Sequence, residues 1–276
     1  MAEEQVLMKE VTDAERASFL ELAENFASNT EADGGIGTYM EKGLHRLLKC
    51  YFEPDRQYHE IPVGKYIADI KNGCITEIQT ASLSGIKEKL AVFLCENRVR
   101  VVFPLETVRH IVWIDPSDGS ASKRNRSPKP DNIYRLLAEL VYILDHVENK
   151  NLTVTAVHLA IDEYRLLDGW SRDKKKGSTK LERVPTDIFG FSDFSSLSDY
   201  AGLVPEDLPS AFTRDDFSAS TGLRGRKLWA GIRVLEALKL VSRVPSSGRK
   251  YRYATTEEFA RLRCGAKDAK KSGDFS

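Results

Sequence analysis

Along the first two-thirds of the chain the spacing of apolar residues switches between helical and strand periods, and the switches mark out the elements. Thr12-Asp13 opens an amphipathic helix with Phe19, Leu20 and Leu22 apolar, ending near Ser28. The run from Glu31 to Gly37 is a breaker. A second helix is expected from about Thr38 to Phe52, with Met40, Leu44, Leu47, Leu48 and Tyr51 on one stripe, and Pro54 stops it. Strands follow at Gln57–Val63, Lys65–Ile70 and Cys74–Thr80, the last two joined as a hairpin around Lys71-Asn72-Gly73. Leu83–Glu96 reads as a helix with Ile86, Leu90, Phe93 and Leu94 on one face. Arg98–Leu105 and Val108–Ile114 read as two apolar strands. Residues 117–130 form a basic, flexible loop, Asp131 caps a helix to about Val147, and Leu152–Leu159 resumes a strand. This order predicts an α/β fold with a mixed sheet flanked by helices.

Length and charge refine the division. With 276 residues, two packed units are the better expectation. We expect an N-terminal helix over 1–35, an α/β domain over 36–170, a charged and then Ser/Asp/Pro-rich linker over 171–210, a second unit over 211–265 and a disordered tail over 266–276. The formal net charge is zero, but it is unevenly spread. Residues 1–62 carry 6 Lys/Arg against 13 Asp/Glu, and residues 213–276 carry 15 against 7. A basic back half points to a polyanionic partner. No run approaches the roughly 20 apolar residues of a membrane span, and the acidic N-terminus lacks the order of a secretion signal. Cys50, Cys74, Cys95 and Cys264 have no metal-binding or disulfide spacing, which points to a reducing, cytoplasmic setting. There is no internal repeat.

The candidate chemistry lies in the hairpin KYIADIKNGCITEIQT. It carries Asp69 on one arm and Glu77 on the other, both flanked by core-like residues. Two neighbouring buried carboxylates are costly unless a cation or a proton compensates them. A hard divalent ion such as Mg²⁺ (or Mn²⁺) would do so. Parity tests the idea. A two-residue Asn72-Gly73 turn would put Asp69 and Glu77 on opposite faces. A three-residue loop with Gly73 left-handed, pairing Ile70 with Cys74, puts them on one face, and we expect that form. Glu41, near the start of the preceding helix, would bring a third carboxylate.

This order of elements, with Glu41 in a helix, then Asp69, then Glu77-Ile78-Gln79, then a helix and an apolar strand, resembles the PD-(D/E)xK nuclease superfamily over residues 36–115. The resemblance implies a restriction-endonuclease-like fold and Mg²⁺-dependent hydrolysis of DNA phosphodiester bonds. It implies Asp69 as bridging metal ligand, Glu77 as second ligand, the Ile78 carbonyl as a further contact and Glu41 as helix-borne acid. The family's usual Lys is replaced by Gln79. Gln79 would position the attacking water without supplying charge. Lys87 on the next helix would be the substitute cation, with Lys65 a weaker one. Cutting both strands would call for two sites and hence a homodimer.

Residues 211–265 are expected as two helices and a hairpin. Thr213 and Asp216 form a capping box, Gly222 makes the turn, and Leu228, Ile232, Leu235 and Leu238 face inward. This is similar to a winged helix-turn-helix, which implies a second helix that enters the major groove of duplex DNA. Arg224, Arg226, Lys227 and Arg233 would lie on its outer side, and Arg249, Lys250 and Arg252 on the wing. Lys123, Arg124 and Arg126 of the basic loop, with Lys129, would clamp the backbone or simply connect.

Two readings stand beside the nuclease. Asp69 and Glu77 would be solvent-facing residues of an edge hairpin, or the chain would be an inactive nuclease-fold DNA-binding protein, a transcription regulator or architectural factor. An RNA-directed version of either stays open. Glu41 and His45, four apart, would form a His-containing metal pair or plain helix surface. His59, His110, His146 and His158 are scattered.

Overall fold

The structure, a computed structural model, describes residues 8–32, 42–168, 178–245 and 251–263. In chain order the elements are β1 (Lys9–Glu10), α1 (Asp13–Ala32), α2 (Lys42–Phe52), β2 (His59–Val63), β3 (Tyr66–Asn72), β4 (Cys74–Ile78), α3 (Lys87–Phe93) and β5 (Val99–Ile114). There follow β6 (Asn125–Arg126), α4 (Ile133–Glu139), β7 (Leu152–Leu166), β8 (Thr179–Phe194) and α5 (Leu197–Ala201). The last are β9 (Phe212–Thr213), α6 (Arg214–Thr221), α7 (Gly225–Ala237), β10 (Val241–Val244) and β11 (Arg252–Thr255).

The main sheet runs β1-β8-β7-β5-β4-β3-β2, with β6 added against β5. Strand β5 is parallel to β4 and to β7, and the other pairs are antiparallel. Parallel neighbours need a crossover. Here α3 links β4 to β5 and α4 links β5 to β7, and both helices pack on one face with Ile75, Val99, Val101, Phe103 and Val154. On the other face, α1 and α2 bury Phe19, Leu44, Leu47 and Leu48 against Ile70, Ile78, Val102, Val157 and Ile188. This is a mixed α/β fold with a large sheet between helices.

Several expectations change. The two strands expected at 98–105 and 108–114 are one strand, β5, with an irregularity between Glu106 and Val108. Pro104 is accommodated because the β4 ladder closes before it, at Ile78–Val102. The loop at 117–130 is pinned to β5 by β6 and by the Ile114–Ala121 bridge. The expected linker over 171–210 is the largest correction. Residues 179–194 are β8, paired along β7, and α5 follows with a Ser196–Asp199 capping box. The β7–β8 ladder shifts register at three points, which breaks the two-residue alternation that announces a strand. Gly190 of β8 is needed where β1 crosses, because a Cβ there would lie 2.4 Å from the Lys9 carbonyl oxygen.

The C-terminal elements were expected as a separate unit, and instead they share a core with the sheet. The small sheet β10-β11-β9 stacks Phe212 on Phe217 and Tyr253. Ala230, Ile232, Val234 and Leu235 of α7 join one continuous cluster with Leu136, Leu137 and Phe103. Asn132 Nδ2 donates to the Thr221 carbonyl at 3.0 Å. The Thr213–Asp216 capping box and left-handed Gly222 lie where the sequence places them. Among the described residues no helix is long and apolar enough to cross a membrane.

Candidate functional site

The β3–β4 hairpin closes on Gly73, which is left-handed (φ 69°) as expected. The register differs from expectation: Ile70 pairs with Thr76, not Cys74. A shift of two residues preserves parity, and it leaves Asp69 opposite Glu77 as the next pair outward. There the ladder opens. The Asp69 N–H donates to Glu77 Oε1 (3.1 Å), and the Ile78 N–H donates to Asp69 Oδ2 (2.8 Å). Each carboxylate thus takes a backbone hydrogen bond that a regular sheet would make between main chains.

The irregularity extends across β3. Ala68 packs with the α3–α4 core and Ile70 with the α1–α2 core, although residues two apart on a regular strand share a face. On β2, Glu60 falls opposite Asp69, between the pairs His59–Ile70 and Ile61–Ala68. Its φ is +53°. A left-handed non-glycine residue costs about 1–3 kcal/mol, and such strain gathers at functional sites. Glu60 is tied to Lys49 of α2. This opening lets helices from both faces reach one spot.

His45 on α2 places Nε2 3.1 Å from Asp69 Oδ2. Lys89 on α3 donates from Nζ to Glu77 Oε2 at 2.6 Å and lies over the Phe93 ring. Burial works to raise the Asp69 pKa, but the His45 hydrogen bond and charge, the Ile78 N–H and Lys89 outweigh it and hold the carboxyl below its usual value. Glu77, 1% exposed at the side chain, behaves oppositely. Burial and the neighbouring Asp69 charge push it up to about 7, against the pull of Lys89. At Glu77 burial and the like charge outweigh Lys89, whereas at Asp69 the favourable partners prevail.

Of the sequence-predicted residues, the structure brings Asp69, Glu77 and the Ile78 backbone together. Glu41 lies outside the described residues. Gln79 is half-buried at the end of β4, its N–H on the Val102 carbonyl. Lys87 does not reach in. It pairs at the surface with Asp145. The inward face of α3 is Leu90 and Phe93, and Lys89, four residues before Phe93, shares it. Lys65 lies over Tyr66. Sequence reasoning thus missed Lys89, for which the Phe93 stripe was the signal, and gave His45 no role beside Asp69. Among the described residues no group of three or more His, Cys, Asp and Glu side chains is arranged to hold a metal.

The basic residues fall in two places. Arg224, Arg226, Lys227 and Arg233 are exposed at the start of α7 and along it, and Arg252 is exposed on β11. Arg249 and Lys250 lie outside the described residues. In the loop, Lys123 and Arg126 are exposed, while Arg124 is engaged with Asp162 (2.7 Å) beside His110. Two further histidines are tied to the fold by hydrogen bonds. His59 donates to the Glu53 carbonyl, and His158 is buried against Ser192 Oγ at 2.9 Å.

Comparison with known proteins adds a relative and a family. An uncharacterized protein of Treponema pallidum (strain Nichols) is 28% identical over 189 residues, covering 68% of this chain and 74% of the relative. No solved structure matches. A family match covers residues 42–194, from the first residue of α2 to the last of β8. The match contains His45, Asp69, Glu77 and Lys89 and includes β8. The chain therefore belongs to the family described as Domain of unknown function (DUF8091).

Proposed function

We propose that this protein is a Mg²⁺- or Mn²⁺-dependent DNA endonuclease, with a restriction-endonuclease-like core and a winged-helix C-terminal unit that supplies DNA affinity. The observation that carries this reading is the Asp69–Glu77 pair. Two carboxylates are locked together at a deliberate opening in the sheet, and Glu77 is driven up to about 7 by burial and Asp69. A paired carboxylate site suits a hard divalent cation. The fit is chemical: Asp69, Glu77 and the Ile78 carbonyl are hard oxygen donors on adjacent strand positions. Glu41 would complete the set.

When bound, the metal would supply Lewis acidity, activating a water and neutralising the charge that develops on the phosphate. The chain's own residues prepare the site. His45 holds Asp69 Oδ2 in place, and the Ile78 N–H fixes the same oxygen. Lys89 supplies the fixed positive charge that Gln79 lacks, held beside the Glu77 carboxylate. Gln79 orients water by hydrogen bonding. Exposed Arg and Lys on α7 and β11 would neutralise DNA phosphates, so binding should weaken steeply with salt. Cutting both strands would need a homodimer, which sedimentation in the presence of DNA would detect.

The test is cleavage of supercoiled plasmid with Mg²⁺ or Mn²⁺ by wild type, Asp69→Ala and Glu77→Ala. Cutting that both variants lose supports the reading. A second reading has its own observation: His45 and Lys89 already partner the two carboxylates. The domain would then be an inactive scaffold, and the chain a DNA-binding regulator or architectural protein. Salt-sensitive DNA binding with no cleavage under any metal supports that reading instead.

A further inference from the structure

The outward face of α7 carries an aromatic ring in the middle of its positive charge. Trp229 is 54% exposed, while Ala230, Gly231, Ile232, Val234 and Leu235 on the same helix are buried. Arg226 lies three residues before Trp229 and Arg233 four after it, so all three share one face. Glu236 continues that stripe and accepts from Arg243 Nε on β10 at 3.1 Å. The Arg243 guanidinium in turn lies over the Tyr251 ring, 4.9 Å from its centroid. Tyr251 is 63% exposed and stands next to exposed Arg252. The contacts thus run from Glu236, on the helix stripe that carries Trp229, through Arg243 to Tyr251 on the hairpin. Among the described residues, Arg226, Arg233 and Arg252 form no ion pair, so their charge faces outward uncompensated.

We propose that this face binds single-stranded DNA, with unpaired bases stacking on Trp229 and Tyr251 and neighbouring phosphates taken by Arg226, Arg233 and Arg252. In a duplex the base faces are occupied by their neighbours, and only base edges and backbone are presented. Exposed rings interleaved with arginines match an unstacked strand, whose every base offers a π-face. An acidic protein surface would satisfy the arginines and leave the rings without a matching group. The inference rests on the reading of the C-terminal unit as a DNA binder. It does not depend on the Asp69–Glu77 site.

The experiment is fluorescence anisotropy of labelled dT20, a 20-base-pair duplex and rU20 with the full chain in EDTA, at one fixed salt concentration. Loss of one stacked base is worth about 1–3 kcal/mol, roughly a 5- to 150-fold change in Kd. Trp229→Ala and Tyr251→Ala should each weaken dT20 binding by at least about fivefold and change duplex binding by less than about twofold. Trp229→Phe, which keeps a ring, should restore most of the dT20 affinity, and Arg233→Ala should weaken both DNA forms. Equal losses for both forms, or no loss with Trp229→Ala, overturns the stacking surface. Tenfold tighter binding of rU20 overturns the assignment to DNA. Absence of binding to dT20 and duplex at low salt overturns this inference together with the DNA-binding reading. Intact dT20 binding without plasmid cleavage removes only the nuclease.

Discussion

Replacing Lys89 by Ala, against Lys87 by Ala as its control, separates a lysine that belongs to the site from one that merely sits nearby. Lys89 Nζ lies 2.6 Å from a Glu77 carboxylate that is 1% exposed, and the ammonium itself is 20% exposed. Deleting one partner of a buried pair costs about 3–5 kcal/mol. Two features reduce this. Lys89 retains some solvent, and Glu77, already up to about 7, can take up a proton in place of its lost partner. We therefore expect Lys89→Ala to cost about 2–3 kcal/mol at pH 8 and less near pH 5.5, where Glu77 is protonated. The Lys87–Asp145 pair, more than half exposed on both sides, should contribute about 0–1 kcal/mol. Urea denaturation in EDTA at both pH values, checked for a constant slope, reads the difference. Equal costs for the two lysines, or a cost for Lys89→Ala that does not fall with pH, refutes the assignment. In the cleavage assay Lys89→Ala should be impaired and Lys87→Ala should match wild type.

Other outcomes follow from the same coordinates. His158, 2% exposed, is held neutral by burial with its pKa down to about 4 from 6.5, so the unfolded chain protonates first as pH falls. That contribution to stability is complete above pH 6.5 and is lost toward pH 4, about 3 kcal/mol in all at about 1.4 kcal/mol per unit. His158→Gln should be less stable than wild type at pH 7 and gain on it by pH 4.5, and parallel pH curves for the two proteins would refute this. Gly190→Ala drives a Cβ into the Lys9 carbonyl. It should release β1, removing the Val11 N–H to Phe189 carbonyl bond, at a cost of about 1–3 kcal/mol. Amide exchange at residues 8–12 should rise, and unchanged exchange there would contradict the packing. Asp69→Asn should lower apo stability at pH 7, since His45, the Ile78 N–H and Lys89 favour the ionised Asp69, with relief of the repulsion on Glu77 offsetting part of the loss, and it should abolish cleavage; a gain in apo stability would show that repulsion dominates the pair.

What was legible in the sequence depended on whether a signal was local. The stripe Leu44, Leu47 and Leu48 of α2, the stripe Leu90 and Phe93 of α3 and the caps at Thr213 and Gly222 are short-range and are found in place, although α3 spans only Lys87–Phe93 of the 83–96 expected and Met40 lies outside the described residues. Hairpin parity was legible because Gly73 leaves few ways to close the turn, although the register itself moved by two residues. Strand β8 was hidden because its charged first half and three register shifts erase the alternation that identifies a strand. Lys89 goes unseen because α3 begins only at Lys87, so the phase of its first turn rests on where Leu90 and Phe93 pack. His45 and Asp69 are 24 residues apart and meet only because β3 turns at Asp69, a feature with no local signature. The shared core between α4 and α7 is likewise a tertiary fact: Leu137 and Gly231 are nearly a hundred residues apart.

The most direct measurement is Mn²⁺ binding followed by electron paramagnetic resonance on wild type, Asp69→Ala and Glu77→Ala. Wild type should give a bound, broadened Mn²⁺ signal that Mg²⁺ displaces, and both variants should give free-ion spectra. Equal Mn²⁺ binding by all three proteins, or none by wild type, would rule out a metal site at Asp69 and Glu77.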